Sequence, residues 1–185
     1  MSLKILPNLL SCLRLLLVIP FVYFFYHQHF QAATIIFVIA AFTDALDGYL
    51  ARVLKCQTQF GLIIDPLADK ILIVSCFLLF GTFGLLPWAL ILLILSRDLA
   101  IILGAIISIT YFHQISTLKP SLLSKLNTVL QLTLIITMLV HITYYNFPSL
   151  WISLLICSVV ITTSTSFIHY FWSWYQSVQL RKKNV

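Results

Sequence analysis

The sequence predicts an all-α integral membrane protein, a bundle of six transmembrane helices with both termini in the cytoplasm, and three observations predict it. Of 185 residues, 61% are apolar and 9% charged, and the mean hydropathy is +1.05, which leaves too little polar surface to coat a soluble globule. Six apolar stretches are each long enough to cross about 30 Å of hydrocarbon, which takes roughly twenty helical residues. The connections between them are alternately basic and free of Lys and Arg.

In order, the stretches cover 9–27, 31–53, 61–82, 86–111, 121–144 and 149–174. A cleaved signal peptide competes for the first, but no small-residue cleavage site follows it and Pro20 interrupts its middle, so it reads as a span. The second and third carry aspartates. The fourth holds Arg97-Asp98 about ten residues in, near mid-membrane, and Lys125 opens the fifth from the cytoplasmic side. Trp88, Trp151, Trp172 and Trp174, with Tyr144, Tyr145 and Tyr175, fall near span ends and suggest an interfacial aromatic belt.

Lys4, Arg52, Lys55, Lys119, Lys125, Arg181, Lys182 and Lys183 all fall on one side of this arrangement, whereas His27–Gln31, Gly81–Pro87 and Thr143–Ser149 contain no Lys or Arg. The positive-inside rule puts the basic side in the cytoplasm. The net charge of +6 is then explained by attraction to an anionic leaflet, and no nucleic-acid partner is needed. Without an Arg-rich presequence before the first span, a bacterial inner membrane is expected. Cys12, Cys56, Cys76 and Cys157 lack CxxC spacing and read as small apolar fillers, and the five histidines are dispersed. With neither repeat nor linker, residues 1–185 read as one domain.

All five acidic residues are aspartates, and Asp44, Asp47, Asp65 and Asp69 lie inside apolar sequence. An ionised carboxylate there costs several kcal/mol unless compensated. Asp44 and Asp47 are three residues apart and Asp65 and Asp69 four, so each pair projects from one helix face. At 1.5 Å per residue both pairs lie roughly 15 Å from the cytoplasmic loop. Two such faces form an all-oxygen cage for a hard divalent cation, Mg2+ or Mn2+. A buried ion-pair network is the competing account, but the nearby cations counted in the sequence, Arg52 and Lys70, are too few. Lys70 itself has no assigned role. A cation transporter also places acids at membrane depth, yet neither inverted repeats nor broken helices are visible.

Written out, the segment reads Asp44-Ala-Leu-Asp47-Gly48-Tyr-Leu-Ala51-Arg52, then eight residues, Gly61, three residues, Asp65, three residues, Asp69. It resembles, at every fixed position, the D-x2-D-G-x2-A-R-x8-G-x3-D-x3-D signature of the CDP-alcohol phosphatidyltransferases. Pro7-Asn8-Leu9, Arg14 and Pro20 resemble that family's amino-terminal helix. The resemblance implies six spans and transfer of the phosphatidyl group of CDP-diacylglycerol to an alcohol, with release of CMP. It further implies metal held by Asp44, Asp47, Asp65 and Asp69, with Asp69 as general base. Asn8, Asp44, Gly48, Ala51 and Arg52 would bind the CDP moiety, Arg52 through phosphate. Family members often form homodimers, so a dimer is compatible.

Arg97, Lys125 and Asn127 are the expected acceptor ligands. Adjacent helical residues point to different faces, so Arg97 is expected to be free of Asp98 and able to reach an anionic group. Two branches of the family compete. The Asp65-Pro66-Leu67-Ala68-Asp69-Lys70 run resembles the phosphatidylglycerophosphate synthases, which typically carry Arg-Glu and G-K-x-K-T where this chain has Arg97-Asp98 and Ser124-Lys125-Leu126-Asn127-Thr128. Residues 118–132, with Ser96-Arg97-Asp98, look more like the CMP-forming cardiolipin synthases. Asn127 in place of lysine removes a positive charge, which suits the singly charged phosphodiester of phosphatidylglycerol better than the phosphate monoester of glycerol 3-phosphate. Cardiolipin is the expected product, with phosphatidylglycerophosphate the alternative.

Overall fold

A computed structural model describes residues 6–54, 61–112 and 122–182, and all the regular structure in them is helical. Six helices follow in order: α1 Leu6–Tyr26, α2 Phe30–Leu54, α3 Gly61–Thr82, α4 Trp88–Phe112, α5 Leu122–Thr143 and α6 Ser149–Lys182. Their bounds lie within about three residues of the apolar stretches, except at the end of α6. There the helix continues to Lys182 instead of stopping near 174, because hydropathy falls without any Gly or Pro to break the backbone.

The short connections are closed by local chemistry. Gln28 and Gly84 take left-handed φ values of 61° and 69°, which reverse the chain after α1 and α3. Pro87 and Pro148 stand immediately before α4 and α6, where a missing N–H costs nothing. Their carbonyls accept the first helical bonds from Leu90 and Trp151, each at 3.0 Å.

The chain divides into two compact units. In the first, α1–α3 associate with residues Thr137–Asn146, and α1 packs along both α2 and α3. Arg14, Val18, Phe21 and Phe25 form the buried stripe of α1, Ala33, Phe37 and Ala40 that of α2, and Leu72, Ile73, Cys76, Phe77 and Phe80 that of α3. The rings interlock, with Phe21 6.0 Å from Phe37 and Phe25 5.2, 5.8 and 5.3 Å from Phe30, Phe80 and Phe83. Ala33 and Ala40 let the helix backbones approach. The Thr34 and Thr143 hydroxyls, 3.0 Å apart, tie α2 to the end of α5.

The second unit contains α4, α5 as far as Ile136, and α6, with α4 packed on α6. Its apolar core is Leu90, Ile91, Ile94, Leu134, Ile135 and Val159. Among the described residues, Leu122–Thr143 and Ser149–Ile168 are long and apolar enough to cross a membrane. Only 39% and 22% of those windows are buried, so large apolar side chains such as Leu126, Val129, Leu150, Leu154 and Ile161 face outward. Trp88, Tyr144, Tyr145 and Trp151 are exposed at helix ends, where the sequence places its aromatic belt; the side chains of Trp172, Trp174 and Tyr175 lie outside the described residues.

Candidate active site

In the first unit the aspartates can be placed by backbone register. Continued by helical spacing, the buried stripe of α2 (33, 37, 40) reaches Asp44, Asp47 and Ala51. Run backwards, the stripe of α3 (80, 76, 73) reaches Asp69 and Asp65. Both pairs thus lie on continuations of the faces that are packed further along the same helices. The backbone is helical at Asn8, Asp44, Asp47, Gly48, Ala51, Arg52, Asp65 and Asp69, whose side chains lie outside the described residues. Four carboxylates are a donor set for a hard divalent cation, so the residues present fit the metal the sequence implies.

Sequence reasoning gives Arg14 no functional role of its own, yet it is fully buried on α1. Phe21 of α1 packs against Phe37 of α2 in an antiparallel pair of helices. Two turns back from Phe21 is Arg14, and two turns on from Phe37 is Asp44, so the two fall at one level. Arg14 therefore joins Arg52 and Lys70 among the cations of this unit. Its signal in the sequence is a lone charge inside an apolar stretch.

The second unit brings together most of the expected acceptor residues, with one correction. Arg97 and Asp98 do not point apart: Arg97 Nη1 donates to Asp98 Oδ1 at 2.7 Å, and both side chains are buried. Their Cα–Cβ vectors diverge, but the long arginine stem folds across the gap, since burial makes pairing far cheaper than two separate charges. Arg97 Nη2 donates to the hydroxyls of Ser124 at 2.6 Å and Ser166 at 2.9 Å, which pins α4 to α5 and α6. The charge of Arg97 is thus balanced within the unit, and only its Nε lacks a partner.

Asn127 is fully buried one turn from Ser124. Its Oδ1 accepts from the Thr163 hydroxyl at 2.8 Å and lies 3.0 Å from that of Thr162, while Nδ2 has no partner. Lys125 is exposed on the other side of α5. One turn beyond Asn127, Gln131 is also fully buried, and neither end of its amide has a partner among the described residues. Each unpaired buried amide group costs about 1–3 kcal/mol.

A cavity of about 630 Å³ in the first unit is lined by Phe24, Gln28, His29, Phe30, Gln31, Ala32, Ile142 and Thr143. It sits at the start of α2, about fourteen residues or roughly 21 Å from Asp44 along the helix axis, and so is remote from the carboxylates.

Aspartates thus stand in pairs on two helices of the first unit, and a buried polar seam joins the three helices of the second. Residues 4–164 match the sequence profile of the CDP-alcohol phosphatidyltransferases, and the chain belongs to that family. It is similar to the CMP-forming cardiolipin synthases of Rattus norvegicus and Homo sapiens, each 31% identical over 192 residues that take in 95% of this chain. It spans 63% and 64% of the length of those two proteins. The CDP-diacylglycerol–glycerol-3-phosphate 3-phosphatidyltransferase of Cereibacter sphaeroides is 36% identical over 141 residues, covering 70% of this chain and 60% of that protein.

Proposed function

We propose that the protein is a phosphatidyltransferase of anionic phospholipid synthesis that takes CDP-diacylglycerol as donor and releases CMP, working in a six-span bundle, in a bacterial inner membrane, at a site open to the cytoplasm. The observation that carries this reading is the register of Asp44, Asp47, Asp65 and Asp69, which sets the family signature on continuations of the packed faces of α2 and α3. The acceptor hydroxyl oxygen attacks the phosphatidyl phosphorus, the bond from that phosphorus to the CMP oxygen breaks, and the hydroxyl proton passes to the Asp69 carboxylate. Mg2+ or Mn2+ held by Asp44, Asp47, Asp65 and Asp69 would supply positive charge that offsets the pyrophosphate and stabilises the leaving CMP. Asn8, Gly48, Ala51 and Arg52 are assigned to the nucleotide, the glycine because a missing side chain admits the ligand to the backbone.

For the acceptor, we assign phosphatidylglycerol, giving cardiolipin. Asp98 balances Arg97, and Asn127 is neutral, so the polar seam around them carries little net positive charge. That favours a phosphodiester over the doubly charged phosphate of glycerol 3-phosphate. Lys125, expected from the sequence as an acceptor ligand, is exposed on the side of α5 away from Asn127 and adds no charge to that seam. The glycerol 3-phosphate reading keeps one specific support, the Asp65–Lys70 run together with similarity to the Cereibacter enzyme. Supplying purified protein with CDP-diacylglycerol, Mn2+ and each acceptor in turn, then identifying the lipid, separates the two. Cardiolipin formed only with phosphatidylglycerol, and abolished by chelator, is the expected result. Release of CMP with neither acceptor would overturn the reading.

A further inference from the structure

We propose that Arg14 is a positioning residue for the transferase: from α1, its guanidinium braces the Asp44 carboxylate of α2 and the Asp69 carboxylate of α3 within the first unit. The inference deepens the function proposed above and rests on it for what the brace does. Arg14 is fully buried, and a guanidinium keeps its charge when buried. Packing alone would be served at lower cost by leucine or methionine, since a charge taken out of water needs an opposite charge beside it. The chain has five acids, and Asp98 pairs with Arg97 in the second unit, so the carboxylates the first unit can offer are Asp44, Asp47, Asp65 and Asp69.

Register selects two of the four. Both α2 and α3 pack along α1, and the stripe of α1 that holds Arg14 faces both, because Phe25 on it meets Phe30 of α2 at 5.2 Å and Phe80 of α3 at 5.8 Å. The α2 helix is antiparallel to α1, so two turns back from Phe21 and two turns on from its partner Phe37 give Arg14 and Asp44. The α3 helix is parallel to α1, its end at Phe80 and Phe83 lying against the end of α1 at Phe25 and Tyr26. Three turns back from Phe25 and from Phe80 give Arg14 and Asp69. The stripe 14, 18, 21, 25 of α1 and the stripe 73, 76, 80 of α3, continued to 69, share one spacing. Separate ring contacts thus bring Asp44 and Asp69 to the level of Arg14, while Asp47 and Asp65 lie one turn beyond. A guanidinium presents five N–H groups in a planar fork, enough for two carboxylates at once. With Asp69 assigned as general base and Asp44 as a metal ligand, a cation joining them fixes where the base stands without touching substrate. A displacement of about 1 Å there costs about 10²-fold in rate, so the brace is read in kcat and not in KM.

Turnover is measured on the purified full-length chain in mixed micelles with CDP-diacylglycerol, Mn2+ and the acceptor that supports it. Arg14→Lys keeps the charge and loses the planar fork. It should lower kcat at least about tenfold and shift KM for CDP-diacylglycerol by less than about twofold. In an Asp69→Asn background the same change should alter kcat by less than about twofold, because a residue acting through Asp69 has nothing left to act on. Should Arg14→Lys fail to fold, Arg14→Gln is carried through the same cycle. A second arm needs no turnover. In metal-free detergent, the change in unfolding temperature caused by Asp44→Asn should be more positive by at least about 3 °C in an Arg14→Met background than in the wild type. Full kcat in Arg14→Lys, effects that multiply across the kinetic cycle, or additive shifts in unfolding temperature would each overturn the brace while leaving the transferase intact. A wild type that transfers to neither acceptor overturns the proposed function, and the unfolding arm then decides the pairing of Arg14 by itself.

Discussion

At the scale of single residues, the governing fact is that a buried charge is held only by what surrounds it. Asp98→Asn would leave the Arg97 guanidinium buried without its counter-charge and should cost about 3–5 kcal/mol. Replacing both partners at once, Arg97→Met together with Asp98→Leu, should recover most of that loss. Thermal unfolding in detergent checks both, and a double variant as unstable as the single one would contradict the pairing. Asp69→Asn is expected to cut CMP release by about 10²–10⁴-fold, with the unfolding transition retained, as removal of a general base should. The four aspartates stand out in the sequence because a carboxylate in an apolar run needs compensation. The burial of Arg14 and Gln131 is not legible there, since a polar residue on a largely apolar helix reads equally well as outward-facing until its neighbours are placed. Arg97–Asp98 was misread because angular spacing on a helix fixes where Cβ points and leaves the end of a long side chain undetermined.

At the scale of elements, most helix bounds were readable to within about three residues because hydropathy and helix breakers agree: Pro87 and Pro148 precede α4 and α6, and Gly84 turns the chain before α4. Where the two signals separate, at 174–182 in α6, hydropathy alone stopped too early. Pairing between helices was not readable at all, because several phenylalanines of α1–α3 look alike in sequence and only packing selects which meet. Phe25 is fully buried and meets four other rings, those of Phe21, Phe30, Phe80 and Phe83. Phe25→Ala should therefore destabilise by about 3–5 kcal/mol, measured by unfolding in detergent, while Tyr23→Ala, at an exposed position of the same helix, should fall well below that. Equal effects would mean that the ring cluster does not hold the unit together. Between α5 and α6 the tie is polar: Thr163→Val keeps the shape, removes the hydroxyl that holds Asn127, and should cost about 1 kcal/mol.

At the scale of the whole molecule, six helices and a lopsided charge distribution make one arrangement in the membrane far cheaper than its inverse. The turns at 27–29, 83–87 and 144–148 carry no Lys or Arg, whereas the basic residues outside the helices' middles cluster at the other ends. Each Lys or Arg near an anionic leaflet is favoured by about 1 kcal/mol, so moving the basic set to the outer face would cost several such terms at once. In the proposed six-span arrangement an even number of spans would return both termini to the cytoplasm, the side toward which the aspartate-bearing ends of α2 and α3 would then run. The arrangement is tested with single cysteines in a background where Cys12, Cys56, Cys76 and Cys157 are replaced by serine or alanine. A membrane-impermeant maleimide added to intact cells should label Gln28→Cys and Asn146→Cys, and should reach Lys183→Cys only after the membrane is opened. Labelling of Lys183→Cys in intact cells would invert the topology and turn the carboxylates away from cytoplasmic CMP release. Labelling of none of the three before permeabilisation would mean that the apolar faces of α5 and α6 are covered by something other than a spanned bilayer.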